Sequence, residues 1–377
     1  MPRFHRRVLA AAAAVLIVTC RPAVASPPAS LDSAPAAFTI VALDSLRGEW
    51  GAAAVSRWIA VGARSLEARA GAGAWCALEL PDPREAARVL DLLARGTPAR
   101  AALDSLVGTD ERRGERQIAI VGKAGDVAAL TGDRCPPWSG QRFGRGYVCQ
   151  GVALRDAAPI AAMAQAFEAA RGTLSERLLA AIEAAESIFP VRDQVESAAL
   201  LVVREGGGLN GWSDRLVDLR VDSAADAVPA LKSLYAAHAA TFLPAAYARF
   251  GDEAKRLGDP VSAEREYTRA EEGFRAAVAR RPKDADARNE LAWFLAVHDR
   301  DLSDAVLEAK AAVALRSNDP ILYDTLAEAE YRSGSLARAI EAMERAVKAS
   351  GGGARYVERL RRWTRERETL EGKGIKP

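Results

Sequence analysis

The sequence predicts two folds in one chain: an α+β domain whose sheets lie between helical layers, then an all-α stack of helical hairpins. Three observations predict this. Between Ala37 and Val221, short apolar runs of strand length alternate with pairs of capped helical segments. From about Leu243 the strand-like runs cease, and apolar residues fall at helical spacing only. Within 322–347 that spacing is the one of a helix–turn–helix repeat. A chain of 377 residues, 49% hydrophobic and 27% charged, is long enough for both units.

Met1–Ala25 carries Arg3, Arg6 and Arg7, an apolar run from Val8 to Val18, and the small-x-small ending Ala23-Val24-Ala25. This is the pattern of a secretory signal peptide, and the apolar run is too short for a stable membrane span. Cleavage is expected before Ser26, giving an exported protein, periplasmic or extracellular, without stable membrane insertion. A lipid-modified Cys20 is the alternative, against which stands Thr19, an unusual residue before such a cysteine. Losing the four arginines of this segment leaves 48 basic against 50 acidic residues, a net of −2. That charge gives no footprint for nucleic acid. Ser26–Ala36 reads as a Pro/Ser/Ala linker.

The α+β domain is expected over 37–242. Ala37–Leu43 reads as a buried strand, Asp44–Gly48 as a turn, and Gly51–Ser56 and Trp58–Gly62 as continuing strand. Gly71–Leu80 is a further extended stretch. Asp82 with Pro83 opens a helix over Pro83–Ala94, closed by Gly96, and Thr97-Pro98 repeats the device for Ala99–Val107. Gln117–Val121 and Val127–Thr131 form a hairpin around Gly122–Asp126, followed by a Gly-, Pro- and Arg-rich loop and an apolar run, Tyr147–Leu154. A second helix pair, Asp156–Arg171 and Leu174–Ile188, precedes strands Ser197–Arg204 and Arg215–Val221. Gly206–Gly211 reads as a flexible hairpin turn in preference to an anion cradle.

In 243–352 the second fold takes over. Leu326, Ala327, Tyr331, Gly334, Leu336, Ala339, Met343 and Ala346 fall at tetratricopeptide spacing. Leu291, Ala292, Leu302, Ala305, Ala309, Ala312 and Pro320 repeat it one unit upstream, with an off-pattern turn at His298–Asp301. Tyr267, Ala270, Phe274, Ala277 and Pro282 supply a third unit. The charged segment 353–377, with Trp363 inside it, reads as a capping helix. Such an array predicts a peptide or protein ligand in its groove.

An export signal permits disulfides. A Cys135–Cys149 bridge would close the glycine-rich loop; three unpaired thiols at Cys76, Cys135 and Cys149 is the other reading, and both stand. No CxxC or Cys/His spacing suggests zinc and Gly122–Gly125 is too short for a phosphate loop, so no metal or cofactor is expected.

An ordered series of short motifs adds a resemblance. It comprises Phe38-Thr39-Ile40-Val41-Ala42, Gly48-Glu49-Trp50-Gly51, Ser56-Arg57, Ala70 to Ala74, Arg116-Gln117, Thr131-Gly132, Cys135, Trp138-Ser139-Gly140, Gln150-Gly151, Arg204 to Gly208 and Asp218 to Asp222. Over roughly 37–242 the chain resembles domain of unknown function 1028, a bacterial family placed among the N-terminal nucleophile (Ntn) hydrolases. The resemblance implies a four-layer αββα sandwich followed here by the tetratricopeptide solenoid. It also implies a mechanism in which the α-amine of an N-terminal Thr, Ser or Cys is the base. That mechanism needs no histidine, and beyond the signal segment only His238 and His298 occur, both in the C-terminal half.

The chain departs from the family pattern where the chemistry resides. The pattern carries Thr-Phe-Ser at the start of the first strand, and here that position reads Ala37-Phe38-Thr39. Ala77-Leu78 stand where Thr-Gln is usual, and Val152 stands where Asn follows the glycine. Thr39, two residues on and on the same strand face, is the remaining candidate nucleophile, with Ser56 and Arg57 on the second strand as its candidate partners. Two functions compete: a catalytically degraded Ntn-like binding module joined to a peptide-binding array, and a secreted amide-bond hydrolase acting on peptide or cell-wall fragments. Retained glycines with lost polar positions favour the first.

Overall fold

The computed structural model describes residues 36–188 and 196–373; the expected signal peptide, Cys20 and all of the linker but Ala36 lie outside them. The strands are β1 (Ala37–Asp44), β2 (Glu49–Ser56), β3 (Leu66–Arg69), β4 (Gly73–Ala77), β5 (Gln117–Val121), β6 (Val127–Thr131), β7 (Gly140–Gly144), β8 (Tyr147–Val152), β9 (Glu196–Val203) and β10 (Arg215–Ala224). They form two antiparallel sheets, ordered β10-β9-β2-β1-β8-β7 and β3-β4-β5-β6. Among the described residues these α-helices accompany them: α1 (Val61–Ser65), α2 (Pro83–Ala94), α3 (Ala99–Val107), α4 (Ala158–Ala169), α5 (Leu174–Ile188) and α6 (Ala227–Thr241).

Strand alternation decides the layers. Val41, Ala52, Ala54 and Val148 from the large sheet meet Ala74, Cys76, Ala119 and Val121 from the small one in a layer between the sheets. The opposite residues of the same strands face outward. Phe38, Ile40, Ala42 and Cys149 pack against Met163, Phe167, Leu178 and Ile182 of α4 and α5. Trp75, Ile118 and Ile120 pack against Val89, Leu93, Ala102 and Leu103 of α2 and α3. Asp82 caps α2 as its sequence predicts, its carboxylate accepting from Arg84 N at 2.9 Å.

Two expectations are corrected. Trp58–Gly62 is not strand: Ala60 adopts a left-handed φ of +57°, and the chain turns there into the short helix α1, whose Val61 N–H donates to Ser197 Oγ at 3.1 Å. The glycine-rich loop is not one loop either. It crosses from the small sheet to the large one and contains the edge strand β7, so β6 and β8 lie in different sheets. That crossing separates Cys135 from Cys149. Cys135 Sγ donates to Arg116 O at 3.4 Å, whereas Cys149 lies in the helix-facing core; both are free thiols, as is Cys76.

The remaining chain forms α7 (Leu243–Arg256), α8 (Pro260–Arg280), α9 (Ala285–Val297), α10 (Leu302–Leu315), α11 (Pro320–Arg332), α12 (Leu336–Ala349) and α13 (Ala354–Gly372). The pairs α7–α8, α9–α10 and α11–α12 pack as hairpins, and α13 closes the stack with Trp363 buried against Tyr331, rings 4.8 Å apart. Fully buried Ala292, Ala309, Ala327 and Ala339 permit the close approach within hairpins. Asp259, Asp284 and Asp319 cap α8, α9 and α11. The off-pattern turn before α10 is built by Asp299 and Asp301, both at positive φ, Asp301 also capping α10. The core of the large sheet runs without a break through Tyr235, Leu243 and Tyr247 into Tyr267, Phe274 and Leu291, so sheets and repeats form one compact unit.

Candidate functional site

The register of β1 fixes the site. Ala37 stands opposite Ser56 of β2 on one side and Val152 of β8 on the other. Beyond these strand ends the layer between the sheets opens into a cleft of about 190 Å³, lined among others by Ala37, Ser56, Trp58, Arg64, Leu78, Glu79 and Val152. All three departures from the family pattern thus reach one place, where Ala37, Leu78 and Val152 give apolar walls. The polar groups left are few. Ser56 Oγ accepts from Trp58 N at 3.1 Å, which holds the turn into α1. Glu79 has its carboxyl pushed above the usual range by burial. Arg64 lies over the exposed Trp58 ring, 5.4 Å from its centroid.

Thr39 is elsewhere. One pleat further along the same face, it is fully buried between the sheets, its hydroxyl hydrogen-bonded to the Cys76 thiol at 3.0 Å. Gln150 Nε2 donates to the same sulfur at 3.3 Å. Burial pushes the Cys76 thiol up to about 12, outweighing the Thr39 hydrogen bond, so this sulfur stays protonated and inert near neutral pH. Neither Thr39 nor Arg57 lines the cleft; Arg57 N–H donates to Ala36 O at 3.1 Å. Of the sequence candidates, Ser56 alone does. His238 Nε2 on α6 sits 2.9 Å from Leu216 O, and His298 Nδ1, just past the end of α9, is 3.6 Å from Asp252; neither lines the cleft.

The residues that sequence reasoning missed here are Trp58, Arg64 and Glu79. Reading Trp58–Gly62 as strand concealed the turn that brings the first two to the cleft. Glu79 lay inside a stretch read as extended, with no motif around it. Leu80 next to it takes a φ of +50°, and its carbonyl accepts from Arg116 Nη1 at 2.7 Å, while Arg116 also pairs with Glu85 and Asp110. This gives Arg116-Gln117 a structural role: Arg116 anchors the cleft wall, and Gln117 Nε2 ties the small sheet to Gly151 O at 2.8 Å.

Fold and site together define a two-sheet, helix-flanked domain with an apolar strand-end cleft, continued by a helical repeat array. Residues 37–231 match the model of a family of unknown function, DUF1028. The chain belongs to that family. A crystal structure of a DUF1028 protein from Silicibacter pomeroyi is 30% identical, covering 54% of this chain and 89% of that one, with a TM-score of 0.49. The C-terminal helical region has tetratricopeptide neighbours. The first such domain of Spaghetti (RPAP3), bound to an HSP90 peptide, is 15% identical over 33% of this chain and 92% of its own, at a TM-score of 0.26. The Sgt2 domain from Aspergillus fumigatus is 22% identical over 34% and 85%, at a TM-score of 0.28. The search of curated proteins gives no match.

Proposed function

We propose that this is an exported binding protein, built on an Ntn-hydrolase-like αββα sandwich that has lost its catalysis and joined to a repeat array that holds a peptide or protein segment. The convergence of Ala37, Leu78 and Val152 on one cleft carries this reading. An Ntn site needs a hydroxyl or thiol whose own free amine is the base. The β1 residue at the cleft is an alanine. The only hydroxyl on that face of β1 is bonded to a buried sulfur one pleat deeper, and chain upstream of Thr39 denies it a free amine. The alternative, a secreted amide-bond hydrolase, requires processing after Phe38, which is fully enclosed within the core of β1.

The test is N-terminal sequencing of the mature protein from the cell envelope or medium, with an amidase screen of wild type and Thr39→Ala. The expected result is a chain that retains residues upstream of Thr39 and hydrolyses nothing. A chain beginning at Thr39, with hydrolysis abolished by the substitution, would establish the enzyme instead. For the binding half, a peptide-library screen of the full chain should yield ligands weakened by Trp293→Ala, since Trp293 is a large apolar side chain exposed on α9. Undiminished binding by that variant would remove the array from the proposal.

A further inference from the structure

The other end of the β1–β2 ladder holds a second polar cluster. Glu49, paired in register with Asp44, is fully buried, and neither of its carboxylate oxygens accepts a hydrogen bond. Arg204, one residue past β9, lies 3.5 Å from Glu49 and 3.3 Å from Glu266, which α8 brings in from the first repeat hairpin. From α7, the Phe250 ring lies against the same guanidinium, 3.5 Å from centroid to Cζ. Arg265 stands 3.4 Å from Glu266. Arg47 Nε, Arg204 Nη1, Arg265 Nε, Glu266 Oε2 and the Tyr247 hydroxyl are buried there without hydrogen-bond partners. Unpaired buried polar atoms are costly, and so many in one place mark a junction whose charge state matters.

We propose that this cluster is a pH-governed latch between the sheet domain and the repeat array, closed while Glu49 carries a proton and loosened when it ionises. The charges around Glu49 come from several elements: Asp44 from the end of β1, Arg47 from the β1–β2 turn, Arg204 from just past β9 and Glu266 from α8, with Tyr235 of α6 and Tyr247 of α7 beside them and Arg177 of α5 facing Asp44 and Arg47. Arg47 is already engaged by Asp44 at 3.0 Å. Arg204 therefore serves two carboxylates, one from each side of the junction. Ionised, Glu49 and Glu266 both draw on Arg204; Glu266 has a second partner in Arg265 Nη2 at 3.4 Å, whereas neither Glu49 oxygen accepts a hydrogen bond. Protonated, Glu49 leaves Arg204 to Glu266 and brings an O–H donor to a site with unpaired acceptors.

The titration falls in a useful range. Burial pushes the Glu49 carboxyl up from its ordinary 4.5 to about 7, with Arg204 pulling the other way. The folded chain then keeps a proton that the unfolded chain releases. The stabilisation is complete below the unfolded value and is lost as pH rises through about 7. The loss belongs at α7 and α8, which supply Phe250 and Glu266.

Hydrogen–deuterium exchange of the full chain, corrected for intrinsic rates, tests this at about pH 5.5 and about pH 8. Peptides spanning α7 and α8 should lose protection at the higher pH by on the order of tenfold or more. E49Q, an uncharged mimic of the protonated side chain, should keep the same protection at both. E266Q removes the competing carboxylate and leaves Arg204 to an ionised Glu49, so the loss of protection between the two pH values should shrink, which tests the latch even if E49Q does not fold. Protection in wild type that is constant or rises with pH overturns the proposal. So does an equal loss in E49Q, or an undiminished loss in E266Q.

Discussion

A single hydroxyl illustrates how environment outranks residue type. Thr39 has the chemistry of a nucleophile but stands one pleat inside the sheet layer, bonded to Cys76. Thr39→Ala should lower stability by about 1–2 kcal/mol, as expected for removing one partner of a buried hydrogen bond, seen as a lower urea midpoint with no change in hydrolysis. The cysteines give a companion test. Among the described residues burial raises three thiols, Cys76 and Cys149 within the core and Cys135, at about 11, on the half-buried crossing. Native protein treated with a thiol reagent near neutral pH should label slowly at Cys135 alone, and urea should release Cys76 and Cys149; mass spectrometry reads the sites. Early labelling of Cys149 would show that β8 opens. At this scale the sequence revealed the lost polar positions through resemblance only, because nothing in periodicity says that Ala37, Leu78 and Val152 meet. Glu49 and Arg204 stood in quoted motifs without a role, since their pairing depends on strands far apart in the chain.

Elements were most legible where punctuation was local. Asp82 with Pro83 set the start of α2, and the short apolar runs on either side of Gly122–Asp126 set β5 and β6. The missed strands, β3 and β7, are short and largely uncovered, so they lack the buried apolar alternation that reveals a strand. The repeat helices carry a different signature, small residues at close contacts. A Cβ at Gly251 of α7 would come within 2.4 Å of the Tyr267 ring on α8. Gly251→Ala should therefore push the first hairpin apart and cost roughly 1–3 kcal/mol in spite of alanine's better helix propensity, measured by thermal unfolding. Ala339→Trp, at a fully buried position on α12, should cost at least as much. A stabilised Gly251→Ala protein would mean that the ring swings away freely.

At the scale of the molecule, the sequence reading placed a boundary near Leu243, where strand texture ends. The structure puts a shared core there, with Leu243, Ala246 and Tyr247 packed together with Leu231 and Tyr235 of α6 and with the α8 side chains. Periodicity tells which residues are apolar, but not against which partner they lie, so the seam was invisible in the sequence. A continuous core predicts one cooperative unfolding transition with coincident fluorescence and circular-dichroism midpoints. Two separated transitions would restore the boundary as an energetic one. The seating of Phe250 and Glu266 around Arg204 has a further consequence for ancestry and engineering. An array that begins at α7 and α8 with a buried acid and an aromatic ring fitted to its carrier is not a freely exchangeable cassette. Grafted to a different host, it would present Tyr247, Phe250 and Glu266 to solvent, and recombination could move it intact only together with the strand ends that hold Glu49 and Arg204.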